Sequence, residues 1–273
     1  MVMPSPERPS LAPREDAAGV LATPGLSLKW AEAPWDTAVL GYPVLQISEL
    51  KLHGPSAAED LSRFEMARDR LGAGLVSCRL PHECLRESFL LETRGFRFIE
   101  MAYMPELANL RDRILHGETG LGIRPAEEGD LPALLHIAGT AFQSERFHMD
   151  PRLDAGLGDE RYRRWVQSSF SHPRQRLYAV SDQGELVAFF IIEMLPDGTC
   201  YWHLNAVAPD KQGRGYGRRA WLAMLGQARA AGAQRVRTCI VARNHRVLNL
   251  YARLDFRFPP PLMTFHWVRA AQS

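Results

Sequence analysis

Long apolar runs are missing from this chain: nothing approaches the ~20 residues that a membrane-spanning helix needs. Cysteine is scarce. Its four copies, Cys78, Cys84, Cys200 and Cys239, show neither C-x-x-C nor zinc-ligand spacing. They read as small buried hydrophobes in a reducing compartment, and no metal is expected. An excess of one charge is missing too. The formal net charge is +2, so no whole-molecule field argues for nucleic acid as a partner. Residues 1–25 have no apolar h-region and are rich in Pro, Ala and charge, which predicts a disordered tail rather than a signal peptide. A cytoplasmic enzyme is the expectation that remains. With 273 residues, the chain can bury a full core as one large or two small domains.

What is present is concentrated in Val207-Ala-Pro-Asp-Lys-Gln-Gly-Arg-Gly-Tyr-Gly-Arg-Arg219. Gly213, Gly215 and Gly217 follow the apolar, aromatic-rich run 200–207 and open a helical pattern over 218–232. A strand feeding a Gly-rich turn at a helix N-terminus is an anion site: the first helical N–H groups lack partners and the dipole is positive there. Glycine lets the backbone take positive φ and come close to a phosphate. Lys211, Arg214, Arg218 and Arg219 add positive charge at the same corner. A nucleotide P-loop would end in Gly-Lys-Ser/Thr, and the dinucleotide fingerprint would need glycine at 218, where Arg stands.

The spacing Gln212-x-x-Gly215-x-Gly217 resembles the pyrophosphate loop of the GNAT family of acyl-CoA N-acyltransferases. The Val207-Ala-Pro209 lead-in agrees, as does Asn244 followed by Leu250-Tyr251-Ala-Arg-Leu-Asp-Phe256, which is similar to the family's closing motif. Asp255 stands where that motif usually has glycine. The resemblance implies an α/β (α+β) GNAT fold: a mixed, mostly antiparallel sheet flanked by helices, with acetyl-CoA as co-substrate. Softer motifs resemble the TDP-fucosamine acetyltransferases: Trp35-Asp36, Gly95-Phe96 with Glu100, Phe142-x-Ser144-x-Arg146-Phe147 and Tyr162-x-x-Trp165. They imply a nucleotide-linked amino sugar as the small-molecule amine acceptor. A protein N-terminus, amino acid, polyamine or antibiotic is the rival acceptor, and a non-catalytic CoA-binding sensor the rival class. A homodimer is compatible with either.

Periodicity divides the chain into a tail (1–25), a smaller, degenerate, partial GNAT-like domain (26–103), a polar linker (104–119) and a catalytic GNAT domain (120–273). In the last, strands are expected at 122–126, 177–181, 186–194, 200–207, 236–242 and 263–268, and helices at 130–142, 160–170, 218–231 and 245–253. In the N-terminal half the predicted elements are a helix over 64–71, a strand over 74–80, a helix over 82–93 and a strand over 95–103. Its Leu91-Glu-Thr-Arg-Gly95-Phe96 parallels Tyr251-Ala-Arg-Leu-Asp255-Phe256, but it has no Gly-rich loop and is not expected to bind CoA.

Amide formation from a thioester requires a held CoA, a polarised carbonyl, a neutral amine and a proton for the leaving thiolate. By resemblance, Gln212, Gly213, Arg214, Gly215, Tyr216, Gly217 and Arg218 hold the pyrophosphate. The strand around Asn205-Ala206-Val207 splays and offers backbone N–H to the thioester oxygen. Tyr251 is the expected general acid, since a phenol of pKa near ~10 stays protonated at neutral pH; a core aromatic beside Leu250 is the alternative. Asn244 is expected to hold the pantetheine, to cap the helix beginning at His245, or both. Strand alternation puts His203 on the face of Asn205 and Val207, where it is the candidate base; a histidine simply hydrogen-bonded in its strand is the alternative. Glu193 is the second candidate. Arg146 and His148 lie where GNAT enzymes build the acceptor pocket, and Arg146 is a candidate phosphate ligand.

Overall fold

The computed structural model describes residues 17–115 and 119–270. Residues 1–16 of the expected tail lie outside them. The chain divides into two compact units: 17–102 with 149–157 and 260–270 in the first, and 103–148 with 158–259 in the second.

In the first unit the elements are β1 (Gly19–Ala22), β2 (Leu26–Glu32), α1 (Pro34–Leu40), β3 (Val44–Leu52), α2 (Ala57–Arg70), β4 (Leu75–Pro81), α3 (Leu85–Thr93) and β5 (Arg97–Tyr103, its last residue counted with the second unit). The second unit begins with β6 (Glu106–Leu107), β7 (Gly122–Pro125), α4 (Leu131–Ala141) and α5 (Arg146–Met149). It continues with α6 (Ala155–Ser169, from Gly158), β8 (Gln175–Asp182), β9 (Glu185–Met194) and β10 (Thr199–Val207). Then come α7 (Tyr216–Ala230), β11 (Arg235–Thr238), β12 (Ile240–Val241) and α8 (His245–Arg253). The final strand, β13 (Leu262–Val268), belongs to the first unit.

The second unit's sheet runs β6-β11-β10-β9-β8-β7. β10 and β11 are parallel, and the other neighbours are antiparallel. This is the mixed, helix-flanked sheet that the sequence predicted. One face packs on α7 and α8 through Phe190, Trp202, Trp221, Tyr251 and Phe256. The other packs on α4 and α6 through Leu134, Tyr162, Val166, Phe189 and Leu204. Centroid separations of 5.1 Å for Phe190–Trp202 and 4.8 Å for Phe190–Trp221 and Tyr251–Phe256 put these rings in edge or tilted contact. Each such pair adds about 1 kcal/mol beyond its buried area.

Several expectations need correction. Residues 19–22 are not a disordered tail: β1 pairs antiparallel with β2 from Gly19–Trp30 to Ala22–Ser27. Gly19 is glycine for a steric reason, since a Cβ there would lie 2.1 Å from the Trp30 ring. The strand 263–268, assigned by order to the second domain, lies between β4 and β5 in the first unit's sheet. Its Met263 and Phe265 complete an apolar core with Ile47, Cys78, Leu80 and Phe96. The linker 104–119 is partly ordered too: β6 pairs with β11 through Leu107–Val236 and Glu106–Arg237. Residues 116–118 lie outside the described residues.

The parallel between the two Phe-containing turns holds in detail. Phe96 donates its N–H to the carbonyl of Leu91 at 3.0 Å, and Phe256 does the same to Tyr251 at 3.0 Å. Gly95 has φ +84° and Asp255 φ +60°. Both sit in the left-handed region, which aspartate tolerates better than most side chains.

Inside the first unit, Asp150 is 1% exposed. It accepts hydrogen bonds from His266 Nδ1 (3.0 Å), from Arg152 Nε and Nη2 (both 2.8 Å) and from the Arg152 backbone N–H (3.1 Å). These donors outweigh burial and hold the carboxyl well below the usual carboxylate range. A depressed folded-state pKa contributes stability above the unfolded value of ~3.9, and that contribution is lost as pH falls toward the folded value. Asp150→Asn should therefore lower unfolding stability by about 3 kcal/mol at neutral pH. The deficit against the parent should shrink as urea melts are taken below pH ~4; a deficit independent of pH would refute the assignment.

Candidate active site

The second unit's sheet opens at its centre. β10 and β11 pair from Thr199–Arg235 to Trp202–Thr238, and their ladder ends there. β10 remains paired with β9 as far as Val207–Ala188. Residues 204–207, with Asn205-Ala206-Val207 among them, are therefore paired on the β9 side only as far as the β10 ladders run. The Thr238 hydroxyl closes the base of the gap by donating to the carbonyl of Trp202 at 2.9 Å.

A bulge accompanies the opening. The β9 register steps from Trp202–Ile192 to Leu204–Ile191, leaving His203 as the extra residue. Side chains change faces across it: Cys200 and Trp202 join the α7–α8 cluster, whereas Leu204 and Ala206 join the α4–α6 cluster. This corrects the expected position of His203. Strict alternation would set it with Asn205 and Val207, but it lies on the α4–α6 side, with Tyr201 at 4.9 Å and Trp165 at 6.5 Å between ring centroids.

Tyr251 projects from α8 into the α7–α8 cluster and is 1% exposed. Burial pushes its phenol up to about 12, against the opposing pull of the Trp221, Thr238 and Asn205 side chains. Its hydroxyl therefore shares an environment with one residue from each of the parting strands. Asn244 caps α8, its side-chain oxygen accepting from the Val247 N–H at 3.2 Å.

The Gly-rich loop has the geometry its sequence implies. Gly213 (φ +78°) and Gly215 (φ +84°) are left-handed, and Gly215 is the residue before α7. A Cβ at Gly215 would meet nothing within 4 Å, so the loop's outer side is open. The Gln212 side chain folds back and donates to the carbonyl of Val207 at 3.2 Å. Tyr216 at the start of α7 donates its hydroxyl to Asp182 at 3.0 Å. Two of the four expected cations are already committed: Lys211 pairs with Glu185 at 2.6 Å, and Arg219 with Asp182 at 3.1 Å. Arg214 and Arg218 are exposed and, among the described residues, pair with no carboxylate.

Sequence reading missed Arg246. Its Nη2 would lie 4.0 Å from a Cβ on Gly213, so it brings another cation to the loop. One signal was available: a cation in the first turn of α8 runs against the helix dipole. Thr238 and Trp221 were missed because nothing local marks them; only folding sets them beside Tyr251.

On the α4–α6 side, His203 is buried and its Nε2 lies 2.9 Å from a Glu193 oxygen. Burial pushes the imidazole pKa down, and the His172 and Arg174 charges act in the same direction, so His203 is neutral at pH 7. Glu193, also buried, faces Arg174 Nε at 3.2 Å. Arg146, the candidate phosphate ligand, is 8% exposed, with its guanidinium 4.6 Å from the Phe147 ring centroid. His148 contacts Asp159 at 3.0 Å. Among the described residues, no cluster of His, Cys, Asp and Glu is arranged to hold a metal, and no helix is long and apolar enough to cross a membrane.

Residues 133–256 match the model of the Acetyltransferase (GNAT) family. A mycothiol acetyltransferase from Saccharopolyspora erythraea is 30% identical over 138 residues, which are 50% of this chain and 44% of that protein. The chain thus covers less than half the length of that relative. Among solved structures, a functionally unknown protein from Staphylococcus epidermidis aligns with TM-score 0.65 at 13% identity, over 92% of this chain and 93% of that one. A GCN5-related N-acetyltransferase from Kribbella flavida gives 0.59 at 14% identity, over 93% and 91%. A tandem GNAT protein from the clavulanic acid biosynthesis pathway gives 0.57 at 13% identity, over 96% and 86%. At these identities the structures speak for the fold.

The cap on α8 is directly testable. Asn244→Ala should cost about 1 kcal/mol of stability, while Asn244→Asp, which keeps the accepting oxygen, should retain most of it. Equal losses in denaturant melts of the two variants would show that the side-chain oxygen does not matter.

Proposed function

We propose that this chain is an acetyl-CoA-dependent N-acetyltransferase acting on a primary amine. The observation that carries the reading is the coincidence, in one unit, of an open left-handed glycine loop at the α7 N-terminus, a parted β10–β11 pair and Tyr251 at that parting. Acetyl-CoA supplies the thioester. The loop 212–218 would hold its pyrophosphate through backbone N–H groups, with Arg214, Arg218 and Arg246 balancing charge. A backbone N–H at Ala206 or Val207 would face the thioester oxygen, a contact that strengthens as the oxygen gains charge.

Proton inventory follows from the side chains. The incoming amine must be neutral. As its nitrogen bonds to the acyl carbon it sheds a proton that His203, uncharged at pH 7, is able to take directly or through water. The carbon–sulfur bond breaks, the thiolate takes the Tyr251 phenolic proton, and solvent resets both side chains. Burial keeps that proton in place throughout the neutral range. Asn244 would serve the pantetheine from the start of α8 while capping the helix. For the acceptor we propose a nucleotide-linked amino sugar. The support for it is the set of motifs around Trp35, Phe142 and Tyr162; Arg146, packed against Phe147, adds none.

The first unit is proposed to be a GNAT-like copy that does not take CoA. Its β3–α2–β4–α3 run follows the order of β10–α7–β11–α8, with β3 and β4 parallel as β10 and β11 are. At its helix N-terminus, however, the Gly25 carbonyl accepts from the N–H groups of His53 (2.7 Å) and Gly54 (3.2 Å). Asp60 accepts from Gly25 N–H, Thr23 and Ser56 at 3.2, 2.8 and 3.0 Å. The chain's own oxygens take the place that a phosphate would need.

Tyr251→Phe separates catalysis from packing, because it removes only the phenolic oxygen. Turnover should fall roughly 10²–10⁴-fold with acetyl-CoA affinity nearly unchanged. The defect should shrink with acyl donors whose leaving thiol is more acidic. Turnover within a few-fold of the parent would mean that another group protonates the thiolate. Acetyl-CoA binding without turnover of any amine by the parent would favour a CoA-binding module instead.

A further inference from the structure

Tyr251 gives up a proton in the proposed transfer, and the charge left on its oxygen has to be held inside the α7–α8 cluster. Burial has already pushed the phenol up to about 12, whereas an alkyl thiol ionises near ~8.5. A thiolate therefore takes that proton uphill unless the phenolate is stabilised as it forms. A hydrogen-bond donor at the oxygen does this, because its bond strengthens as the acceptor becomes charged. Three side chains pull the phenol toward ionisation, Trp221 most, then Thr238 and Asn205; Cys239 pushes the other way.

The three differ in what they have left to donate. A hydroxyl carries one hydrogen, and that of Thr238 is given to the Trp202 carbonyl at 2.9 Å. Asn205 is half-buried near the end of β10, and its amide can turn either oxygen or nitrogen toward a neighbour. The Trp221 indole nitrogen is a donor only. It is buried and completes no hydrogen bond among the described residues, so its N–H has no other commitment. Its ring meets that of Tyr251 at 6.3 Å between centroids, with 63° between the planes. The same ring is set edge-on against Phe190 at 4.8 Å and Trp202 at 6.4 Å. Those contacts fix the indole before any charge appears, and a preorganised donor needs no rearrangement when the oxygen ionises. The neighbouring indole of Trp202 is engaged elsewhere, against the Cys200 thiol.

We propose that Trp221 is a positioning residue whose indole N–H closes on the Tyr251 oxygen as the phenolic O–H bond breaks and the proton passes to the leaving sulfur. The negative charge stays on that oxygen until solvent returns a proton, and the indole is then released. The proposal rests on the acetyl-transfer reading with Tyr251 as acid, and it adds the group that makes this acid strong enough.

The experiment uses the full chain and has two arms. The first needs no turnover: a ring-fluorinated tyrosine in place of Tyr251 brings the phenol into a pH range where the folded protein can be titrated by ultraviolet absorbance. Trp221→Phe keeps an aromatic ring and removes the N–H. It should lower the ionisation constant of that phenol about tenfold, the effect of one hydrogen bond to a charged group. The second arm follows release of the CoA thiol with acetyl-CoA and glucosamine as the probe amine. Here Trp221→Phe should lower kcat about tenfold with KM for acetyl-CoA nearly unchanged. In a Tyr251→Phe background the same substitution should change kcat by less than about twofold, since no phenolic oxygen is left to stabilise. Lost packing would lower kcat in both backgrounds alike. Where Trp221→Phe does not fold, benzothienylalanine in place of Trp221 keeps the bicyclic shape and puts sulfur where the N–H was. The proposal is overturned if the fluorinated phenol titrates at the same pH with and without the indole N–H, or if the loss in kcat is equal in both backgrounds. A parent that binds no acetyl-CoA, or one that loses nothing in Tyr251→Phe, would instead overturn the acetyl-transfer reading beneath it, and the titration would still decide whether Trp221 donates to Tyr251.

Discussion

The second unit is organised around a hydrogen-bond ladder that stops. β10 and β11 remain paired only from Thr199–Arg235 to Trp202–Thr238, while β10 continues beside β9 to Val207. Central strands rarely leave one edge unpaired, because exposed backbone groups inside a protein are costly. Here the cost is contained by neighbours. Thr238 covers the Trp202 carbonyl, and Tyr251 stands against Asn205 and Thr238. The surrounding rings of Trp202, Trp221, Phe190 and Phe256 hold that geometry from behind. What remains open is a length of backbone able to meet a ligand, next to a helix N-terminus with open N–H groups. The gap and the loop follow from one another: β10 must leave β11 before its chain can turn outward into Gly213 and Gly215.

The bulge at His203 has a second consequence. By inserting one residue, it lets β10 present Trp202 to one helix layer and Leu204 to the other. The same strand can then offer Asn205 to the side of Tyr251 and His203 to the side of Glu193. A regular strand would keep residues 203 and 205 on one face. The separation suits a transfer in which donor and acceptor approach a sheet from its two sides.

Much of this was legible in the residues. Element order from Gly122 to Arg253 was readable because each segment there has a clear period and a turn signal at its end. The loop was legible because glycine at 213 and 215 serves a positive φ that other residues resist. The Leu91–Phe96 and Tyr251–Phe256 turns were legible as counterparts, and they share a hydrogen bond. What stayed hidden depends on contacts distant in sequence. β1 reads as a polar tail until Trp30 covers Gly19. β13 reads as the close of the second domain, yet its partners are β4 and β5. His203 was given the wrong face because alternation assumes an unbroken register.

The central claim is that one glycine loop, at the start of α7, holds acetyl-CoA, and that the corresponding place in the first unit is filled by Gly25 and Asp60. Calorimetric titration of the full chain with acetyl-CoA, repeated on a folded Gly215→Val variant, tests it most directly. Gly215 adopts φ +84°, so valine both strains the turn and puts a side chain where the backbone must approach a phosphate. The account predicts one equivalent bound per parent chain and none per variant. Two equivalents in the parent, or unchanged affinity in the folded variant, would contradict it.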